Sequence, residues 1–320
     1  MRLLITGING FVGGYLAEHL LAGGAGDVWG LARQPSLAFP ELRGRVQFVS
    51  ADLGDLDQAV SALASARPDV IFHLAGQSNV PRSFAEPAQT LTTNVLAQLY
   101  LFQAALRLKQ NPLFLIVSSN EIYGRVTPED LPLDEDTPLR PVNPYAVSKA
   151  AQDLLAYQYY ISHKLRTIRL RPFNHIGPRQ AEQFVASAFA AQIARVEAGM
   201  QEPLLRVGDL AAERDFTDVR DMVRAYALAA QHGEPGQAYN IGTGRVVSIR
   251  WLLDTLLAFS ERDIAVEPDP ARMRPADVPR VACNSGRFRA RTGWAPQIPL
   301  EQTLHDILEY WRAQTHSSKL

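Results

Sequence analysis

The chain has 320 residues, enough to bury a sizeable core in one large unit or two modest ones. With 47% hydrophobic and 20% charged residues, net charge −1 and an isoelectric point near 6.7, it has the balance of an ordinary globular α/β protein, without the basic footprint of a nucleic-acid or membrane-surface binder. Its single cysteine, Cys283, excludes an internal disulfide and a clustered thiolate site, so no metal is expected, and no apolar run approaches the roughly 18 residues that span a bilayer.

Met1-Arg2-Leu3-Leu4-Ile5-Thr6-Gly7 is interrupted by a glycine turn too early to be the core of a signal peptide. It reads as a buried first strand, and with one free thiol the expected address is the cytoplasm. Strands are then expected at 3–6, 28–31, 46–49, 70–74, 113–118 and 167–170, and helices at 11–22, about 84–108 and about 144–163. Short apolar strands separated by helical crossovers imply a parallel sheet covered on both faces, a Rossmann-type doubly wound α/β fold. After Arg171-Pro172 the pattern changes to helices near 185–197, 219–231, 249–259 and 300–313, joined by loops rich in Pro and Gly. Three prolines between Pro268 and Pro275 predict a long ordered loop there. The expected division is a dinucleotide-binding unit, 1–172 plus about 213–244, and a smaller mixed α/β substrate unit, about 173–212 plus 245–320, set at the sheet edge.

Gly7-Ile8-Asn9-Gly10-Phe11-Val12-Gly13 is G-x-x-G-x-x-G between a predicted strand and a predicted helix. Gly7, Gly10 and Gly13 permit a tight turn and close backbone approach, and the N–H groups at Phe11 and Val12 open a helix whose positive end suits a pyrophosphate. Where an NAD enzyme usually places a carboxylate on the ribose, the second strand ends in Gly30-Leu31-Ala32-Arg33. Arg33 can pair with a 2′-phosphate, favouring NADP with NAD possible; the alternative is a solvated loop residue. Asp52-Leu53 follows the third strand at the expected adenine position, although Asp52 also suits a helix N-cap. Ala75-Gly76 ends the fourth strand where the backbone would run along the cofactor, and His73 reads as a packed strand-end histidine.

Tyr145-Ala146-Val147-Ser148-Lys149 lies in the helix preceded by Asn143-Pro144, and its i, i+4 spacing puts Tyr145 and Lys149 on one face. Hydride transfer to a ketone leaves an oxygen to be protonated, a task for a tyrosine acting as general acid. Free tyrosine titrates near 10, and the neighbouring ammonium, together with the positive nicotinamide of the oxidised cofactor, is expected to bring Tyr145 towards neutrality. Ser119, 26 residues upstream at a strand end, can hydrogen-bond the same oxygen.

With these motifs the chain resembles the extended short-chain dehydrogenase/reductases, the NAD-dependent epimerase/dehydratase family, over its whole length. The resemblance is carried by Thr6-Gly7 to Gly13, Asp52-Leu53, His73-Leu74-Ala75, Asn94, Ser118-Ser119-Asn120-Glu121-Ile122-Tyr123-Gly124 and Pro144 to Lys149. It implies Ser119, Tyr145 and Lys149 as the catalytic triad, with Lys149 also on the nicotinamide ribose and Leu74 and Asn94 among the cofactor residues. It also implies a homodimer joined by helices 84–108 and 144–163 as a four-helix bundle.

Arg171 to Pro178, Val207 to Asp221 and Arg272 to Val278 resemble the GDP-mannose branch. That likeness implies that Arg214 and Arg274 clamp the diphosphate of a GDP-sugar, a task two arginines suit, with Asn174 beside it and Asp277 on the nucleotide ribose. Structural ion pairs for the arginines, and an N-cap or surface charge for Asp277, are the plain alternatives. Two activities compete within the branch: 4,6-dehydration of GDP-mannose, and NAD(P)H-dependent reduction of the C4 ketone of the 4-keto-6-deoxy product. Glu121 fits both, as a C5 base or as a residue that orients substrate. Only Gln34–Gly44 stands between Arg33 and the third strand, without the arginine-rich insertion of the dehydratases, so the reductase is expected. Another nucleotide-sugar epimerase or dehydratase stays open, and so, remotely, does a non-catalytic dinucleotide sensor, since fold alone does not fix function.

Overall fold

A computed structural model describes residues 1–272 and 278–317. The first half runs β1 (Leu3–Thr6), α1 (Phe11–Ala22), β2 (Val28–Ala32), β3 (Gln47–Ser50), α2 (Leu56–Ala66), β4 (Val70–His73), α3 (Val80–Ala85), α4 (Pro87–Leu91), α5 (Ala97–Arg107), β5 (Leu113–Val117), α6 (Pro144–His163) and β6 (Arg166–Pro172). The second half runs β7 (Asn174–Ile176), α7 (Val185–Glu197), β8 (Leu204–Val207), β9 (Glu213–Asp218), α8 (Val219–His232), β10 (Ala238–Ile241), β11 (Val246–Ser248), α9 (Ile249–Leu257), β12 (Ala265–Pro268), α10 (Gly286–Thr292) and α11 (Leu300–Ser317).

Seven parallel strands form the main sheet in the order β10-β6-β5-β4-β1-β2-β3. All four residues of β1 and of β4 are buried, as expected of strands covered on both faces. One face packs under α1 and α8 through Leu16, Leu20, Met222 and Tyr226; the other packs under α2, α5 and α6 through Leu63, Leu101, Phe102 and Ala156. Strand order reverses between β1 and β4, and open α/β sheets bind ligands outside the carboxyl ends at such a switch point.

A second core gathers α7, α9 and α11 over the shorter strands, through Ile193, Leu205, Leu252, Leu304 and Ile307. Its strands make a three-stranded sheet, β11-β9-β7, and a β12-β8 pair. A smaller cluster of Ile122, Tyr123, Leu133, Phe173, Val281 and Cys283 lies between the sheet edge and this body.

The helix expected over about 84–108 is corrected at its start: it runs without a gap from Pro87 to Arg107 as α4, a π turn and α5, behind a separate α3 that ends at Ala85. Pro87 opens α4, and Glu86 before it leaves the helical region at φ −130°, ψ 61°. Between α4 and α5 one turn, Thr92–Leu96, widens to π geometry and carries the fully buried Asn94. The ordered loop expected around Pro268–Pro275 begins instead as β12 and a 3₁₀ turn at Pro270–Arg272; the remainder lies outside the described residues.

Helix α6 is bolted to β6 by a buried ion-pair cluster. The Asp153 carboxylate accepts from Arg171 Nε at 2.9 Å, Arg171 Nη2 at 2.9 Å and Arg169 Nη1 at 3.2 Å. Removing one partner from such a cluster strands the others without counter-charge, so Asp153→Ala is expected to cost about 3–5 kcal/mol of stability. A urea titration reads this as a lower midpoint at unchanged slope.

Candidate active site and dinucleotide cleft

The glycine turn sits at the switch point. Gly7 has φ +74°, and a Cβ there would lie 2.9 Å from the Ala75 nitrogen at the end of β4. A Cβ on Gly13 would lie 2.3 Å from the Gly7 carbonyl, so the first turn of α1 rests directly on the loop. Gly10 is the N-cap of α1 and no side chain caps it, which leaves first-turn N–H groups at Phe11 and Val12 for an anion. This cradle fits the diphosphate of a dinucleotide. Beneath it Thr6 Oγ1 accepts from Ala75 N at 3.2 Å and shares a hydrogen bond with His73 Nδ1, 2.9 Å away. Burial and the charge of Lys149 push His73 down to about 3, making it the packed, neutral strand-end residue the sequence suggested.

Arg33 is the first residue after β2, exposed and without an ion pair among the described residues. Asp52 is not a helix cap: its Oδ1 accepts from Gly54 N at 2.9 Å, and Asp55 caps α2, while Leu53 is buried beneath. Leu74, Ala75 and Gly76 leave β4 along the cleft. Asn94 braces that segment, accepting from Gln77 N at 2.7 Å and donating to the Gln77 carbonyl at 3.0 Å and to Ser148 Oγ at 2.8 Å. Its amide is thus engaged with protein, and its link to Ser148 ties the cleft floor to the helix that carries Tyr145.

Ser119, Tyr145 and Lys149 come together at the carboxyl end of β5. Asn143 caps α6 by accepting from Ala146 N at 2.7 Å, and Pro144 occupies the first turn, where its missing N–H costs nothing. The Ser119 hydroxyl lies near enough to the Tyr145 phenol to act on its pKa, and Ser119 Oγ accepts from Glu121 N at 3.2 Å. Lys149 Nζ donates to the Val117 carbonyl at 2.8 Å, and a Cβ built on Gly76 would approach it to 3.9 Å.

The expectation that Lys149 draws Tyr145 towards neutrality is corrected. Burial pushes the Tyr145 phenol up to about 12, with the Ser119 hydrogen bond lowering it and the Glu121 charge raising it. Burial alone pushes Lys149 down to about 8. Desolvation therefore outweighs ion pairing at this centre, and the ammonium is spent on a backbone carbonyl.

A cavity of about 570 Å³ lies next to this centre: chain neighbours of the three residues line it, and Ser119, Tyr145 and Lys149 themselves do not. Asn120, Glu121 and Asn143 line its catalytic end beside Val80, Pro81 and Phe84. Asn174 and Arg214 line the middle, and Arg206, Asp209 and Arg272 lie on its wall. The side-chain carbonyl oxygen of Asn174 is buried without a partner among the described residues, and Arg214 Nη1 donates to the Glu213 carbonyl at 2.8 Å. Arg274 and Asp277 lie outside the described residues. Sequence reasoning assigned no role to Asn143, which donates to Glu121 Oε2 at 3.1 Å; the Asn-Pro pair ahead of the helix was its signal. The wall residues Phe84 and Arg206 had none, because folding alone brings them there.

A family model described as GDP-mannose 4,6 dehydratase matches residues 4–307. The chain is 40% identical to GDP-6-deoxy-D-mannose reductase of Pseudomonas aeruginosa over 314 residues, 98% of each chain. It is 33% identical to UDP-glucose 4-epimerase of Mycolicibacterium smegmatis, covering 98% of this chain and 99% of that one. With a GDP-mannose 4,6-dehydratase of Vibrio cholerae the identity is 29%, covering 98% of this chain and 95% of that one; the match spans 358 positions, so the dehydratase carries segments this chain lacks. Among solved structures, RMD from Pseudomonas aeruginosa complexed with NADPH superimposes with a TM-score of 0.85 at 36% identity, covering 98% of this chain and all of the other. The chain belongs to the GDP-mannose 4,6-dehydratase family of NAD-dependent epimerases and dehydratases.

Proposed function

We propose that the chain is a cytoplasmic NADPH-dependent reductase that converts the C4 ketone of GDP-4-keto-6-deoxy-D-mannose to the alcohol of GDP-D-rhamnose. The observation that carries this reading is the meeting of Ser119, Tyr145 and Lys149 at one sheet end next to the cavity, with burial holding the phenol protonated. In this reading the body around the large sheet binds the dinucleotide, and the body around α7, α9 and α11 binds the nucleotide sugar. The bound cofactor supplies the hydride that forms the new C–H bond. Tyr145 donates its proton to the ketone oxygen as that oxygen gains charge, and the Ser119 hydroxyl donates a second hydrogen bond to it. Lys149, fixed by the Val117 carbonyl beside Gly76, holds the ribose of the nicotinamide nucleotide. Asn174 and Arg214, with Arg274 and Asp277, hold the GDP moiety.

A dehydratase is the second reading, favoured by the Glu121 carboxylate on the cavity wall. The near-complete match in length to the reductase and the short loop after Arg33 favour reduction. Purified protein is expected to consume NADPH with GDP-4-keto-6-deoxy-mannose and to leave GDP-mannose unchanged. Tyr145→Phe should then lower turnover by about 10²–10⁴-fold, while Glu121→Gln retains most of it. Conversion of GDP-mannose without net NADPH consumption makes the chain a dehydratase. A mild effect of Tyr145→Phe revives the sensor.

Lys149, lowered to about 8, is charged below that pH and neutral above it. The rate kcat/KM, which reports the free enzyme, is therefore expected to hold at neutral pH and fall on the alkaline side with an apparent pKa near 8. Absence of that limb means that the Lys149 charge does not hold the cofactor.

Val147, Leu154 and Ile161 recur every seven residues along α6, and with Tyr157 they form a stripe 42–57% exposed, flanked by Leu91 and Leu106 of α4 and α5. A second copy of the chain is the occupant proposed for this face, completing a four-helix bundle. Light scattering is expected to give twice the chain mass, falling to the single mass in Leu154→Lys/Ile161→Lys with unchanged far-UV circular dichroism. A wild type of single mass overturns the dimer.

A further inference from the structure

The second variable position of the glycine turn carries a side chain that reaches away from the pyrophosphate cradle. Asn9 Nδ2 donates to the Ser36 carbonyl at 2.9 Å and to Gln34 Oε1 at 3.4 Å, and Asn9 Oδ1 accepts from Ala38 N at 2.9 Å. These bonds bracket the residues that follow Arg33.

The far half of this loop has anchors of its own besides the Asn9 bond to Ala38 N. Leu37 and Leu42 are buried in the core, and Phe39 lies so close over Gly14 that a Cβ there would meet its ring at 2.5 Å. Arg179 Nη1 pairs with Glu41 at 3.2 Å. The polar stretch from Arg33 to Ser36 is held by the Asn9 amide and, at the Arg33 carbonyl, by the Ser50 hydroxyl at 3.4 Å. Within it, the Arg33 guanidinium and the Ser36 hydroxyl have no partner among the described residues, although both are exposed beside the end of β2.

We propose that Asn9 is the positioning residue of an anion subsite formed by Arg33 and Ser36, and that it thereby sets the preference for a dinucleotide bearing a 2′-phosphate. This inference rests on the reading of Arg33 as the 2′-phosphate ligand. An asparagine in the glycine turn gives the loop the same rigid reference that the turn gives the diphosphate. A cation at the start of a tethered loop is already ordered before the phosphate arrives, so binding loses less conformational freedom. A dinucleotide without the phosphate gains nothing from the tether. The effect of Asn9 is therefore confined to one of the two cofactors, which a general loosening of the fold would not produce.

Dissociation constants for NADPH and NADH, read from nicotinamide fluorescence, test this in the wild type, Asn9→Ala, Asn9→Asp, Arg33→Ala and the Asn9→Ala/Arg33→Ala double variant. Asn9→Ala is expected to weaken NADPH about tenfold, the scale of one hydrogen bond, and to leave NADH within about twofold. Asn9→Asp keeps the acceptor for Ala38 N but faces the Ser36 carbonyl with an oxygen, so it should weaken NADPH at least as much. It also supplies the reading if Asn9→Ala fails to fold. In the Arg33→Ala background the Asn9→Ala change should have no further effect. Equal weakening of both cofactors, an unchanged NADPH preference, or additive effects of the two substitutions each overturn the proposal. A wild type that binds both cofactors alike overturns the reading of Arg33, and the role of Asn9 falls with it.

Discussion

A single buried carboxylate holds the reactive face of the molecule in place. Tyr145, Lys149 and Asp153 follow at four-residue intervals along α6, so they share one side of the helix. The lower end of that side is fixed by Asp153 to Arg169 and Arg171, which stand two residues apart on the same face of β6. From Arg171 the network continues: Arg171 Nη1 donates to the Tyr123 hydroxyl at 3.0 Å, which donates to Asn240 Oδ1 at 2.6 Å. Tyr123 closes the 3₁₀ turn that begins after Ser119, and Asn240 belongs to the edge strand β10. One set of buried charges and hydroxyls thus sets the distance between the helix that brings Tyr145 and the turn that brings Ser119.

The electrostatics of the site follow from the same burial. Removing water from Tyr145 and Lys149 displaces both towards their neutral forms, one upward and one downward, because each is more costly to desolvate when charged. A buried tyrosine and lysine one helical turn apart do not exchange a proton to make an ion pair unless the gain exceeds both desolvation costs. The resting site is a proton-loaded phenol beside a weakened ammonium, which suits donation to a developing alkoxide better than abstraction from an alcohol.

Much of this was legible in the sequence. The glycine turn, the apolar parallel strands and the Tyr145–Lys149 spacing are local patterns, each written in consecutive or nearly consecutive residues, and the structure has the fold they imply. The triad residues do meet at one sheet end. Other features were not legible, for identifiable reasons. The helix expected over 84–108 starts only at Pro87, and the turn that carries the buried Asn94 widens to π geometry, which apolar periodicity does not reveal. Strand β9, Glu-Arg-Asp-Phe-Thr-Asp, looks like a charged loop, yet Asp215 is buried there, accepting from Thr243 N, Thr243 Oγ1, Gly244 N and Cys283 N. Such a strand is stabilised by partners far along the chain that no window of sequence contains. The pKa of Tyr145 was misjudged for the same reason: proximity of an ammonium is visible in a sequence, and depth of burial is not.

The order in which the main sheet is completed bears on how the chain folds as it is made. Strand β6 ends at Pro172, but its outer neighbour β10 begins only at Ala238, after the chain has passed through β7, α7, β8 and β9. Until residues 238–241 emerge, the edge of β6 presents unpaired backbone groups, and α8 is not yet in place over that face of the sheet. A nascent chain therefore carries an open template for intermolecular strand pairing while some sixty residues are synthesised, the kind of exposed edge that recruits chaperones or aggregates. Neither body can be cut away as a contiguous segment, since the second is built from chain segments on both sides of α8 and β10, which belong to the first. The ligand cleft between them forms only when both have closed.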